Sequence, residues 1–464
     1  MKIKIIIGLL ISIFIIKMNA QNNLGITPQM LDQIKTNFAK KSNNRALMNA
    51  ISSNEIKKLS QNNLVKGKAD HTFSNKVKTK GITDQKSSGR CWMFTSMNSI
   101  RPKVILQYDL NEFEFSYNYS FFWDQLEKSN LFLEATINNA EKPFDDKTVE
   151  WLFKNPIGDG GVWNLFADIT NKYGIIPSKV MPETFNSDNT SAMSRILASK
   201  LREDGLKLRE IALKNKSNRQ VLNDNKTEML SEIYKILAYC LGEPPSEFIW
   251  KYENKDGKVF EREYTPKSFY NEVVGINLSD YVLLMNDPSR EYYKLYEIEY
   301  DRNMYDGNNW KYVNLPMDKI KEFAKKSIIA NEAMYMSCDV GKQLNKDEGI
   351  LDLNNYDYES LFGIKLGMNK KERIQTFESG SAHAMTLVAV DIDKDGKTKK
   401  WQVENSWGAT SGNKGYLTMT DEWFDEYFFR LVVHKQYITK DVEEILKTKS
   451  IKLPPWDPMF SIEE

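Results

Sequence analysis

The sequence is poor in cysteine and histidine. Among its 464 residues there are three of each, namely Cys91, Cys240, Cys338, His71, His383 and His434. An odd number of cysteines leaves at least one outside any disulfide. If that cysteine is a nucleophile that requires a histidine base, only three residues of the chain can supply the base.

The sequence also has no excess of charge of one sign. Lysine and arginine total 64 and aspartate and glutamate total 63, which gives a formal net charge of +1. This balance gives no electrostatic basis for binding nucleic acid, and we expect no nucleic acid partner. Apolar residues make up 41% and aromatic residues 12% of the chain, which is sufficient for a large globular core.

A long hydrophobic run is absent as well. The apolar stretch at residues 5–16 follows two lysines, and it is shorter than the roughly 20 residues of a membrane-spanning helix. With the small Ala20 as a cleavage position, the pattern predicts a signal peptide at residues 1–20, export to the periplasm or the exterior, and no stable membrane span after removal of the peptide. Met18 fits poorly before such a cleavage position, so an uncleaved anchor is the alternative.

Cys91 is the candidate nucleophile. It lies in the segment 85–92, which reads Gln-Lys-Ser-Ser-Gly-Arg-Cys-Trp, and apolar residues at helical spacing follow it. Because Gly89 permits a tight turn, we expect Cys91 in the first turn of a helix. Unpaired amide N–H groups and the helix dipole stabilise a thiolate at that position, and the thiolate is the reactive form.

His383 is the candidate base. It precedes an apolar, β-rich run that is typical of a buried strand, where an imidazole is held rigidly. A second strand-like segment ends in Asn-Ser-Trp-Gly, and the side-chain carbonyl of Asn405 in this motif can orient a histidine ring. Cys91, His383 and Asn405 therefore match the nucleophile, base and orienting residue of a Cys-His-Asn triad.

The other two cysteines have a different environment. Cys240 and Cys338 each lie among apolar neighbours. We predict that they are buried structural thiols. A disulfide between them is the alternative.

The order of Gln85, Cys91, His383 and Asn405 resembles that of the papain-like cysteine peptidases. The resemblance is closest to the bleomycin hydrolase or aminopeptidase C branch, and it covers nearly the whole chain after residue 25. The matching segments are Gly-Arg-Cys-Trp from residue 89, Ala-Tyr-Cys-Leu-Gly from 238, Ser-Cys-Asp-Val-Gly-Lys from 337, His-Ala-Met-Thr from 383, Val-Glu-Asn-Ser-Trp-Gly from 403, Met-Thr-Asp-Glu-Trp-Phe from 419 and Pro-Trp-Asp-Pro-Met from 455.

The resemblance implies an α+β fold over residues 21–464, with a helical half and a β-barrel-like half. About 290 residues separate Cys91 from His383, whereas roughly 130 to 150 separate them in papain-type enzymes. We therefore expect a large, mainly helical insertion at about 193–323, where charged and apolar residues alternate at helical period. In the resembled branch such additions build a ring-shaped homohexamer, so a homohexamer is expected here. The branch is mostly cytosolic, which makes the cytoplasm the second choice of location.

The start of the mature chain is predicted to be a helical extension at residues 21–65. Apolar residues recur at helical spacing from Met30, which predicts an amphipathic helix followed by a polar, extended continuation. The segment could be mistaken for a propeptide. It resembles the amino-terminal helix that the branch retains in the mature protein, so we expect no activation cleavage.

Two glycine-containing segments imitate ligand-binding loops. The turn at 158–161 lacks the lysine and hydroxyl residue of a phosphate loop, and the resemblance places Gly160 and Gly161 where bare backbone pairs with an extended substrate. Residues 391–396 imitate the start of a calcium loop, but Gln402 stands where a bidentate glutamate is required. A hairpin joining the strands of His383 and Asn405 is the preferred interpretation. We expect no metal and no cofactor.

The resemblance implies hydrolysis of a peptide or aminoacyl amide through a thioester on Cys91. His383 exchanges the protons, Asn405 orients it, and Gln85 donates to the oxyanion together with the Cys91 backbone N–H. Trp407 covers the contact between Asn405 and His383 and is counted among the substrate-binding residues, with simple core packing as the other interpretation.

The proline-rich tail at 453–464 decides the specificity that the resemblance implies. By composition alone it is a loose tail, whereas in the branch it enters the cleft and its terminal carboxylate meets the free substrate amine. The chain would then be an aminopeptidase. Its last residues depart from the small residues usual in the branch. Either the carboxylates of Glu463 and Glu464 attract the amine, or the enzyme itself trims Glu464.

Three alternatives share this sequence pattern. A secreted papain-like endopeptidase would hold the tail outside the cleft. An acyltransferase would pass the thioester to an amine. A non-catalytic oligomeric scaffold is disfavoured because Gln85, Cys91, His383 and Asn405 are all present.

Overall fold

The computed structural model describes residues 25–40, 43–67, 70–214 and 218–460. The predicted signal peptide and the two glutamates of the tail, Glu463 and Glu464, lie outside the described residues. The described chain forms two compact units. The smaller contains residues 25–61 and 356–364, and the larger contains residues 62–355 and 365–460.

In the described chain most helices lie before residue 242, and every strand except the first lies after it. The helices are α1 (Pro28–Ala39), α2 (Asn44–Ser52), α3 (Ile56–Leu59), α4 (Cys91–Gln107), α5 (Tyr117–Asn138), α6 (Lys147–Lys154), α7 (Trp163–Tyr173), α8 (Phe185–Asp188), α9 (Ser191–Lys214), α10 (Arg219–Leu241), α11 (Pro266–Phe269), α12 (Met317–Ile329), α13 (Tyr358–Phe362), α14 (Lys370–Gln375), α15 (Asp421–Tyr427) and α16 (Lys440–Leu446). The strands are β1 (Asn75–Lys76), β2 (Phe248–Glu253), β3 (Val259–Tyr264), β4 (Tyr281–Met285), β5 (Lys294–Ile298), β6 (Lys311–Asn314), β7 (Met334–Cys338), β8 (Leu344–Asn345), β9 (Ile350–Leu351), β10 (His383–Ile392), β11 (Thr398–Glu404), β12 (Tyr416–Thr420), β13 (Phe428–His434) and β14 (Ile451–Leu453).

The smaller unit is helical. Helix α1 begins after Thr27, whose hydroxyl accepts a hydrogen bond from the Met30 amide at 3.2 Å, and Pro28 occupies the first helical position. The predicted extended continuation is wrong, because α2 and α3 follow; the apolar residues of α2 also recur at helical spacing. No residue of α1 is buried, and its apolar side chains are exposed.

The larger unit is built on one sheet and a set of helices. The strand order is β14-β5-β6-β4-β13-β7-β10-β11-β12-β9-β8, and β1 pairs with β10. Antiparallel β10 and β11 are joined by a turn at Gly396, whose φ of 81° suits glycine. This confirms the predicted hairpin between the strands of His383 and Asn405.

Two groups of buried apolar side chains lie in the larger unit. One consists mainly of residues from α4, α5, α7, α9 and α10, and the other lies between the sheet and helices α12 and α15. Helix α4 packs against β7 and β10. The predicted α+β class, with one helical part and one sheet part, is confirmed.

The predicted insertion at 193–323 is helical only in its first part. Helices α9 and α10 occupy residues 191–241, as the helical period indicates. From Phe248 the burial alternates along β2, and strands β4, β5 and β6 then join the main sheet. The mainly helical character expected of the whole segment therefore stops at Leu241.

The cysteines outside the candidate triad form no disulfide. Cys338 is buried in β7, and Cys240 is half-buried near the end of α10. Burial raises the pKa of the Cys240 thiol. The predicted thiols are thus present, although Cys240 is only partly covered. Among the residues that the structure describes, no helix combines the length and the apolar character needed to cross a membrane.

A buried ion pair links α4 to the sheet. Arg101 Nη2 lies 2.6 Å from Glu404 Oε1, and the two side chains are 2% and 0% exposed. The same guanidinium nitrogen donates to the Gly81 carbonyl at 3.0 Å. The pair connects the helix that begins at Cys91 to the strand that ends immediately before Asn405.

We predict that Arg101→Met destabilises the protein by about 3–5 kcal/mol, because it leaves the Glu404 carboxylate buried without its partner. Urea unfolding of the purified variants measures the effect. Combining Arg101→Met with Glu404→Met removes both charges and is expected to restore most of the loss. Lys251→Met breaks an exposed pair with Glu261 and serves as the control, with a change below about 0.5 kcal/mol. A single Arg101 variant as stable as this control would contradict the prediction.

Candidate active site

Five of the predicted site residues line one cleft. The cleft has a volume of about 840 Å³, and its walls include Gln85, Cys91, Gly160, Gly161 and His383. Cys91 is the first residue of the 17-residue helix α4, as predicted. Its backbone N–H is therefore one of the helix's first amide groups, at the positive end of the helix dipole.

His383 and Asn405 are brought together by the pairing of β10 with β11. His383 is the first residue of β10, and Asn405 follows directly after β11. His383 Nε2 and Asn405 Oδ1 are 2.9 Å apart. Since Asn405 occupies Nε2, the Nδ1 atom is the ring nitrogen left to exchange a proton within the cleft.

Trp407 covers this pair. Its ring stacks on the His383 ring with 4.9 Å between centroids and 29° between planes. His383 is itself buried. The burial lowers the pKa of His383 to about 4, against the opposing effect of the hydrogen bond with Asn405. The imidazole is thus strongly biased towards its neutral form unless a negative charge lies beside it.

Gln85 is held in place through Ser406, a residue that the sequence analysis did not single out. Ser406 Oγ donates to Gln85 Oε1 at 2.6 Å, and Gln85 Nε2 donates to the Ser88 carbonyl at 2.8 Å. The Ser406 amide also donates to Asn405 Oδ1 at 2.8 Å. Ser406 therefore ties the candidate oxyanion donor to the candidate orienting residue, and its place in the Asn-Ser-Trp-Gly motif was the available signal.

Asp159 joins the two walls of the cleft and was also missed. Its carboxylate accepts hydrogen bonds from the Gly89 amide at 3.2 Å, from Ser194 Oγ at 3.0 Å and from the Thr190 hydroxyl. Its carbonyl accepts from the Trp92 indole at 2.7 Å. The turn before Cys91 and the Gly-Gly turn are therefore fixed to one another by a single residue.

Lys128 holds the Gly-Gly turn through its backbone carbonyls. Its ammonium donates to the carbonyls of Gly158 and Gly160, at 2.9 and 2.7 Å, and pairs with Asp124 at 2.8 Å. The available signal was only the spacing of four residues between Asp124 and Lys128, which is common on helices. A Cβ on Gly161 would lie 2.6 Å from the Trp92 ring, so glycine is required there, whereas Gly160 faces open space.

The tail is anchored at the cleft rather than loose. Pro455 and Phe460 line the cleft. The Asp457 carboxylate pairs with Arg290, and Arg430 Nη2 donates to the Met459 carbonyl at 3.1 Å. The described part of the tail therefore lies along the cleft and is held there.

Comparison with known proteins places the chain in a family. A sequence model of the Peptidase C1-like family matches residues 25–460. The chain belongs to this family. Aminopeptidase G from Lactobacillus delbrueckii subsp. lactis is 38% identical over 435 residues, which are 94% of this chain and 99% of that protein. Bleomycin hydrolase from Homo sapiens is 41% identical over 410 residues, which are 86% of this chain and 90% of that protein.

A solved structure extends the likeness to the fold. The crystal structure of PepW from Lactobacillus rhamnosis HN001 has a TM-score of 0.91 to this chain at 38% identity, and the match covers 94% of this chain and 98% of the other. The predicted resemblance, the papain-like α+β fold and the prediction of a cysteine peptidase are confirmed by these matches.

We predict that the stability of the Cys91→Ala variant decreases as the pH falls from about 6.5 to about 4. In this range the unfolded chain binds a proton on His383, whose ordinary pKa is 6.5, while the folded chain with a pKa of about 4 does not. The full loss is about 3 kcal/mol. Urea unfolding at a series of pH values measures it, and Cys91→Ala combined with His383→Gln is the control that lacks the titrating ring. Identical pH dependence in the two variants would refute the prediction.

Proposed function

We propose that this protein is a cysteine aminopeptidase that removes amino-terminal residues from peptides or hydrolyses aminoacyl amides. The observation that carries the proposal is the cleft itself. It contains Cys91 and His383, with Asn405 bonded to the far side of the His383 ring, and its wall includes Pro455 and Phe460 of the tail. The names of the relatives, which include an aminopeptidase and a bleomycin hydrolase, agree with it.

In the proposed reaction, Cys91 Sγ attacks the substrate carbonyl carbon as a thiolate. His383 Nδ1 gives its proton to the departing amine, which leaves a thioester on Cys91. His383 then accepts a proton from water as the water attacks the thioester, and the acid product leaves with Cys91 restored. No oxidant or cofactor is required for these steps.

The developing oxyanion needs donors that are already in place. We assign this role to the Cys91 backbone N–H and to Gln85 Nε2. One hydrogen of that amide is used by the Ser88 carbonyl, and the other is left for the substrate. Ser406 keeps the amide from rotating, because it donates to the opposite end of the same group.

The resting pair of thiolate and imidazolium requires a protonated His383. Burial of the ring opposes that charge, so the pair depends on the attraction of the Cys91 thiolate for the imidazolium. Trp407 shields the ring and its contact with Asn405 from water, which strengthens the hydrogen bond that orients it. Gly160 offers bare backbone to an extended substrate on the other wall of the cleft.

The tail limits the substrate on the side of its amino terminus. Phe460 lies under the Arg430 guanidinium, at 4.9 Å from the ring centroid, and Met459 is buried. The tail is thus held in place where it reaches the cleft. We propose that Glu463 and Glu464, which lie outside the described residues, add negative charge that attracts the substrate amine.

The proposed function predicts cleavage of a fluorogenic alanyl amide and no cleavage of its N-acetylated counterpart. Measuring both with residues 21–464, and with Cys91→Ala as the inactive control, tests it. An enzyme that cleaves the two amides equally well is an endopeptidase. Activity that survives in Cys91→Ala contradicts the assignment of the nucleophile.

We further propose that the protein assembles into a homohexamer. The proposal rests on the resemblance to the bleomycin hydrolase branch and is supported by the uncovered apolar side of α1, where Met30, Ile34 and Phe38 are exposed. Sedimentation equilibrium of residues 21–464 distinguishes a hexamer from a monomer. A monomer at micromolar concentration would refute it.

Export is a separate proposal and rests on residues 1–20 alone. Two lysines, a short apolar run and Ala20 have the order of a secretory signal. Determination of the amino-terminal sequence of the protein made in a native host tests it. A chain that keeps residues 1–20 and stays in the cytoplasm would overturn it.

A further inference from the structure

One acidic side chain in the cleft has no partner among the residues that the structure describes. Asp301 follows β5 and lines the same cleft as Cys91. Its carboxylate forms no hydrogen bond and no ion pair with the residues that the structure describes. Neighbouring carboxylates are satisfied, since Asp124 pairs with Lys128, Asp159 accepts from Gly89, and Asp457 pairs with Arg290. A carboxylate removed from bulk water without a partner is unfavourable, and so the site favours an incoming cation.

Asp301 is held on the side of the cleft where the Gly-Gly turn lies. Asn164, three residues after Gly161, donates through Nδ2 to the Asp301 carbonyl at 3.2 Å. Asn303 donates to Asp124 Oδ1 at 2.9 Å. Asp124 in turn pairs with Lys128, which holds the Gly160 carbonyl. The loop containing Asp301 and the backbone proposed to bind the substrate are therefore parts of one hydrogen-bonded structure.

The cations around Asp301 form no ion pair with it in the described part of the chain. Lys128 pairs with Asp124 and donates to two carbonyls. Arg430 donates to the Met459 carbonyl, and its guanidinium lies over the ring of Phe460. Arg302, which also lines the cleft, makes no ion pair with Asp301 among the described residues. Burial raises the pKa of Asp301 to about 6, even though Arg430 and Lys128 oppose the rise. The carboxylate is thus mostly ionised at neutral pH and lacks a close counter-charge.

We propose that Asp301 binds the free α-ammonium group of the substrate and is a specificity-determining residue for aminopeptidase activity. This inference rests on the proposed function, because it requires a substrate whose amino terminus lies in the cleft. An ammonium group supplies three donors and one positive charge, which match an unpaired carboxylate in a partly enclosed site. Recognition of the amine then begins in the folded wall of the cleft and does not depend on the tail alone.

The test is the effect of Asp301→Asn on cleavage of a fluorogenic alanyl amide. The variant keeps the size of the side chain and removes its charge. We expect a roughly 10- to 100-fold fall in kcat/KM, carried mainly by KM, because a hydrogen bond between charged groups is lost. Asp301→Glu keeps the charge and is expected to recover part of the loss. Asp306→Asn changes an exposed residue in the same loop that does not line the cleft, and it serves as the matched control with unchanged kinetics.

The pH profile gives a second readout. As the pH falls through about 6, Asp301 takes up a proton and loses its attraction for the ammonium, so kcat/KM of the wild type falls. Lys128, Arg302 and Arg430 are the cations that line the cleft with Asp301, and burial lowers the pKa of the His383 ring to about 4 when no thiolate is present. The fall in kcat/KM near pH 6 is expected to be absent in Asp301→Asn.

The outcomes separate this inference from the proposed function. If the wild type cleaves the N-acetylated amide as well as the free one, the proposed function fails. If the wild type is selective and Asp301→Asn keeps its full kcat/KM, the inference is overturned, and a chain ending at Phe460 then tests whether the tail binds the amine. If Asp301→Asn slows only an arginyl amide and spares the alanyl amide, Asp301 binds a side-chain cation, which also overturns the inference. Circular dichroism and thermal unfolding of each variant exclude misfolding.

Discussion

The packing of helix α4 on the sheet is the constraint on which the candidate active site depends. Cys91 begins this helix, whereas His383 begins β10, 292 residues later, and Asn405 follows β11, 314 residues later. Apolar contacts hold the helix against β10. The buried pair of Arg101 and Glu404 adds a directional contact between the helix and β11. Removing either charge alone leaves the other buried and uncompensated, so the pair favours one register.

The second constraint is a set of polar contacts that hold two turns and the Gln85 side chain in the walls of the cleft. Asp159 fixes the turn before Cys91, Lys128 fixes the Gly-Gly turn, and Ser406 fixes Gln85. Each of these side chains forms a hydrogen bond with a backbone group or a side-chain amide. The orientation of that group determines which donors and acceptors the cleft presents to a substrate. A donor that is held in place, such as the candidate donor Gln85, does not have to reorient as charge develops on the substrate. Such preorganisation is the main way in which a site of this type lowers a reaction barrier. None of the three needs to contact the reacting carbonyl.

The sequence predicts the parts of this site that lie in short, contiguous patterns. Cys91 at the start of a helix, His383 at the start of a strand and the hairpin at Gly396 all follow from local residues. The supporting residues do not, because their partners are distant in the chain. Lys128 bonds residues about 30 positions away, and Asp301 owes its place to residues more than 130 positions earlier. The insertion was misjudged beyond Leu241 because its helical period was extended over strands whose alternation begins at Phe248.

Charge is distributed unevenly within the cleft, so that amine recognition and bond cleavage would depend on different charged groups. The ring of His383, the candidate base, is buried, and burial favours its neutral form; a thiolate on Cys91 would offset that cost. Asp301, which lines the same cleft, is also partly buried, but its charge has no partner among the described residues. A substrate with a free amine would supply the missing cation at Asp301 without altering the pair at Cys91. Amine recognition and bond cleavage would therefore draw on different charges, so that a change at Asp301 alters the choice of substrate and a change at His383 alters the chemical step.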